Sequence, residues 1–87
     1  VWHCGACVYD ETKNLVYYDG ALHGTGGNAS GGIDIESTNR LTIGSWVNSP
    51  PTSHATTDIG LVLVYNVALD ANQILQNFNA HRARFGV

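Results

Sequence analysis

Alternation of apolar and polar positions marks out the first third of the chain. Residues 2–9 read as a strand, with Trp2, Cys4, Ala6 and Val8 on one face. Asp10-Glu11-Thr12-Lys13-Asn14 is a polar turn. Residues 15–18 form a second strand, rich in aromatic and β-branched side chains. Successive strand residues face opposite sides, so one of Tyr17 and Tyr18 belongs to a core and the other to solvent. Asp19-Gly20 is a hairpin signal, because a tight primed turn needs positive φ. Residues 21–23 are then the short returning strand.

The pattern changes at residues 24–32, a loop holding Gly24, Gly26, Gly27, Gly31 and Gly32. A glycine-rich loop can cradle phosphate, but that geometry needs a helix directly after it. This loop runs instead into Ile33-Asp34-Ile35-Glu36, a period-two pattern. Residues 41–46 predict another strand. Residues 47–57 predict a long loop, in which Pro50-Pro51 cannot donate ladder hydrogen bonds. Residues 59–65 are apolar at nearly every position, as in a strand covered on both faces. A single helix is predicted from Asp70 to about Arg82, opened by an Asp70/Gln73 capping box. Ile74, Leu75 and Phe78 share one of its faces. Arg82 and Arg84 complement its C-terminal end, and Gly86 terminates it.

Composition narrows the class. A chain of 87 residues allows one small domain at most. Only 4 Lys+Arg against 7 Asp+Glu argues against a nucleic-acid partner. The longest apolar run, 59–65, is far too short to span a bilayer as a helix. Charged residues at 13% with 10 glycines suit a loop-rich extracellular or virion-type β protein. The chain has no methionine and opens on Val1-Trp2, which is expected of a processed product or a piece of a longer protein.

Cys4 and Cys7 form a Cys-x-x-Cys pair, a spacing used in redox and zinc chemistry. In a strand, however, residues three apart point to opposite faces with Cα atoms about 10 Å apart. A disulfide needs about 7 Å or less. Zinc would need a second ligand pair, and His23, His54 and His81 lack partner spacing. Both cysteines are therefore expected to be small buried apolar residues. Pairing to another chain or to a missing segment is the alternative.

Several short blocks occur in an informative order. They are Trp2-His3 with Tyr9-Asp10, then Tyr17-Tyr18-Asp19-Gly20, then Leu41-Thr42-Ile43-Gly44. Asp58-Ile59 comes next, running into Val62-Leu63-Val64-Tyr65-Asn66 and Ala68-Leu69-Asp70, with Asn77-Phe78-Asn79-Ala80 and Arg84-Phe85-Gly86 at the end. In this order the chain resembles the C-terminal half of a laminin-G-like jelly roll of the concanavalin A-like superfamily. The resemblance covers nearly the whole chain, though no one block is specific by itself. Two positions depart from the family pattern: Thr57 stands where glycine is usual, and Leu61 where an acidic residue is common. Leu61 implies that this position is covered. Such domains run to roughly twice this length, as two packed sheets require. At about 25 cal/mol per Å² of buried apolar area, half a sandwich would struggle to offset its ordering entropy. Upstream residues or other copies are expected to complete it, for instance by strand addition at an open edge.

The resemblance implies an all-β fold: a partial antiparallel jelly-roll β-sandwich with one short C-terminal α-helix, residues 1–87 being part of a single domain. It implies a non-enzymatic recognition or adhesion module, carbohydrate-binding, outside a cell or on a virion. The alternative is a structural subunit of a fibre, capsid or surface layer. Trp46 and Tyr18 are the candidate sugar contacts. Loop packing is the commoner use of a residue placed like Trp46. Asn28-Ala29-Ser30 is an N-glycosylation acceptor triplet. No cofactor is expected. Lectins of this broad fold sometimes use calcium, but Asp34, Glu36 and Asp58 lack dense ligand spacing. Asp34 and Glu36 share a strand face, yet the third carboxylate of the related glucanases is missing, so a solvated face is expected. A Cys4 nucleophile with His3 as base is disfavoured, since strand neighbours face apart.

Overall fold

The computed structural model describes residues 1–27, 41–45 and 54–87. The chain divides into two compact units, Val1–Ile33 together with Tyr65–Val87, and Asp34–Val64.

In the first unit, β1 (Gly5–Tyr9), β2 (Asn14–Tyr18) and β3 (Ala21–Gly26) form an antiparallel sheet in the order β1-β2-β3. The polar turn between β1 and β2 is built on Asp10. Its Oδ1 accepts from the N–H of Thr12 (3.0 Å), the Thr12 hydroxyl (2.7 Å) and the N–H of Lys13 (2.9 Å). Asp10 thus replaces the ladder where the chain reverses. The β2–β3 connection is the expected two-residue hairpin. Asp19 (φ 48) and Gly20 (φ 83) both lie in the left-handed region, and Tyr18 pairs with Ala21 across them. Further along, Tyr17 pairs with Leu22 but Val16 with Gly24, so His23 is an extra residue forming a bulge.

Period two decides the faces. Val8 and Tyr17 are buried and Ala6 and Leu15 pack beside them, whereas Val16 and Tyr18 face outward. The core is closed by α1 (Ala71–Phe85), whose Ile74 joins Val8 and Tyr17, with Leu69 against the cluster. Phe78 is buried on the same helix, while Leu75, expected on that face, remains 44% exposed. The helix begins as its sequence dictates. Asp70 Oδ1 accepts from the Gln73 N–H (2.8 Å), and Gln73 Oε1 accepts from the Asp70 N–H (3.0 Å). It ends at Gly86 in the left-handed conformation (φ 72), whose N–H donates to the Arg82 carbonyl.

β3 runs on through Gly26, where a loop was expected, and three further expectations need correction. Cys4 and Cys7 are free and exposed, not buried. Cys7 has the opposite parity to Val8 and so faces away from the helix-covered core. Cys4 lies before the first ladder residue, where its backbone rather than its side chain is engaged. Second, residues 59–65 form no ladder. Ile59, Leu61, Val62, Leu63, Val64 and Tyr65 are between 40% and 74% exposed. A strand apolar on both faces needs flanking strands, and the described residues offer it none. Third, the described part of the 41–46 strand makes only an isolated bridge, Ser45 with His54, and Leu41 and Ile43 are exposed. There the Ala55 N–H donates to the Gly44 carbonyl (2.7 Å), with Gly44 at φ 80.

Candidate ligand-binding site

The hairpin tip gathers hydrogen-bonding and aromatic side chains from three parts of the sheet region. Its position is set from beneath by α1. A Cβ added to Gly20 would lie 2.8 Å from Phe78 Cδ1 and 3.0 Å from Leu75 Cδ1. Backbone conformation and helix packing therefore both demand glycine there. With the tip seated on the helix, Asp19 is fixed beside the segment that leads into β1.

Asp19 holds that segment at several atoms. Its Oδ1 accepts from the Cys4 N–H (2.8 Å), and its own N–H donates to the Cys4 carbonyl (2.8 Å). Its Oδ2 lies 2.9 Å from Nδ1 of His3. The Cys4 N–H, then the His3 contact, hold the Asp19 carboxyl below its ordinary value, against a smaller opposing effect of desolvation. The charge of Arg82 acts in the same direction as these hydrogen bonds. Arg82 itself lies over the Phe78 ring, 4.9 Å from its centroid, and its Nε donates to the Val87 carbonyl (2.7 Å).

Three rings stand in a row on the outer side. His3 is stacked on Tyr18 with centroids 4.9 Å apart, and His23 lies tilted on Tyr18 at 6.1 Å. The two tyrosines of β2 separate cleanly: Tyr17 is 4% exposed and Tyr18 46%. His3 is stacked on Tyr18, and much of the Tyr18 ring stays open to solvent. A ligand can meet the open part of the Tyr18 ring, with the phenol hydroxyl and imidazole nitrogens within its reach. Trp2 stands apart from the row, its centroid 5.0 Å from that of Phe85.

Of the residues singled out in the sequence, Tyr18 lies at the centre of this row. Trp46, Asn28, Asp34 and Glu36 lie outside the described residues. Asp58 is exposed in the second unit. Among the described residues, no group of three or more His, Cys, Asp or Glu gathers to hold a metal ion. None of the described helices is long and apolar enough to cross a membrane. His3, Asp19 and His23 were not identified as site residues from the sequence. The usable signal was register: a hairpin at Asp19-Gly20 places the residues before β1 against the turn.

No protein-family model, curated protein or solved structure matches this chain.

Proposed function

We propose that the chain is part of a non-enzymatic recognition or adhesion module that binds carbohydrate, acting outside a cell or on a virion surface. The fold behind this reading is a laminin-G-like jelly roll, of which the three-stranded sheet and terminal helix are part. The observation that carries it is the exposed row of His3, Tyr18 and His23 on the outer side of a sheet whose other face is packed. An exposed aromatic ring next to hydrogen-bonding nitrogens suits a sugar, which offers CH groups and hydroxyls together. Trp46 is the second sugar contact in this reading, and Asn28 an attachment point for glycan. A glycan array probed with the wild type and with Tyr18→Ala tests it. Binding that weakens about tenfold on losing the ring supports the reading. Absence of wild-type binding, or binding indifferent to Tyr18, overturns it.

A second reading rests on a different observation, the exposure of residues 59–65. An uncharged stretch of β-formers left open is suited to pairing with another chain. In this reading the protein is a structural subunit of a fibre, capsid or surface layer, completed by upstream residues or by other copies. Concentration-dependent assembly in sedimentation velocity, abolished by Val62→Lys and Val64→Lys, supports it. A monomer at all concentrations overturns assembly from copies.

A further inference from the structure

The carboxylate of Asp19 does more to His3 than anchor it. An ionised carboxylate only accepts hydrogen bonds. With Oδ2 2.9 Å from Nδ1, neutral His3 must carry its proton on Nδ1, which leaves the lone pair on Nε2. Among the described residues His3 has no other hydrogen-bond partner, and its side chain is 48% exposed. Nε2 is thus an acceptor of fixed tautomer, on a ring held in place by Asp19 on one side and by stacking on Tyr18 on the other. The groups around the pair are Cys4, which donates its N–H to the other Asp19 oxygen, Tyr18 on β2, and Arg82 of α1, whose charge acts on Asp19. His23 also lies tilted against Tyr18.

We infer that His3 is the hydrogen-bond acceptor of the site, its Nε2 receiving a ligand hydroxyl, with Asp19 as the positioning residue that sets the tautomer. This rests on the carbohydrate reading and narrows it. The ligand class is a neutral, hydroxyl-bearing sugar presenting a donor at His3 while its CH groups meet Tyr18. An anionic sugar would bring a carboxylate against the Nε2 lone pair, two acceptors facing each other.

The geometry supplies a selective test. In Asp19→Asn the Cys4 N–H still requires an oxygen, so the amide oxygen stays there and the NH2 faces His3. That group donates to Nδ1 and drives the proton to Nε2, turning the acceptor into a donor. The turn survives, because asparagine followed by Gly20 suits positive φ at both positions.

Long-range ¹H–¹⁵N spectra of uniformly labelled protein report which imidazole nitrogen carries the proton, with no ligand present. Wild-type His3 is expected as the Nδ1–H form at a pH where it is neutral, and Asp19→Asn as the Nε2–H form. Wild-type His3 in the Nε2–H form overturns the inference without any variant, as does an unchanged tautomer in Asp19→Asn. On an array of neutral and sialylated glycans, wild type is expected to bind neutral members, about tenfold more weakly in Asp19→Asn. Wild-type binding that survives an inverted tautomer overturns the acceptor role alone. Absence of wild-type binding overturns the carbohydrate reading and takes the acceptor role with it.

Discussion

Phe78 occupies the space that a side chain on residue 20 would need: a Cβ there would fall 2.8 Å from its Cδ1. Gly20 is also at φ 83, so packing and backbone conformation exclude a side chain independently.

Gly20→Ala is therefore expected to destabilise the first unit by about 2–4 kcal/mol, combining left-handed strain with overpacking. Gly24→Ala is the control, because a Cβ there meets nothing within 4 Å. Urea denaturation of the two variants side by side decides the matter. Equal midpoints would show that the helix does not seat on the turn.

The capping box at the start of α1 gives a smaller expectation. Asp70→Ala removes the acceptor for the Gln73 N–H and is expected to cost about 1 kcal/mol. Hydrogen exchange at the Gln73 amide should quicken while that at Phe78, deep in the helix, changes little. Uniform quickening along the helix would mean that Asp70 supports more than the first turn.

Among the described residues, two carboxylates are held low by their hydrogen bonds. Asp10, held mainly by the Thr12 hydroxyl and N–H, and Asp19, held mainly by the Cys4 N–H, both lie below their ordinary value of 3.8. A depressed folded-state pKa contributes stability that is complete above the unfolded value and is lost as pH falls through the folded one. The urea midpoint is expected to drop as pH is taken below 3.8. The drop should be shallower in Asp10→Asn/Asp19→Asn. Parallel curves for wild type and variant would contradict the assignment.

Both cysteines are accessible in the folded protein. Cys4 and Cys7 are expected to react with a thiol reagent at rates close to those in urea, each adding one label by mass. Protection of either until unfolding would return that residue to the interior.

Much of the first unit was legible in the chain. The hairpin at Asp19-Gly20 came from the need for positive φ, and the Asp70/Gln73 box and Gly86 from the orphaned groups at helix ends. These are local requirements, met within a few residues. The apolar stretch 59–65 was misread because hydrophobic runs report what a segment would do with neighbours, and the described residues provide no neighbouring strands. The cysteines were misplaced for a related reason: parity gives the face, but only a second layer decides whether that face is covered. Of the candidate site, strand alternation separated Tyr18 from Tyr17, and only packing against the helix decided which of the two is exposed. His3 and Asp19 were not identifiable, since their pairing spans the whole width from the start of the chain to the hairpin turn.

Leu22 and Gly24 sit opposite Tyr17 and Val16, which are consecutive, so the sheet would close without a gap if residue 23 were excised. Every other residue of β3 is a rung whose removal would invert the strand beyond it. His23 alone in β3 carries no rung, so the ladder places no pairing demand on the residue whose imidazole stands beside Tyr18.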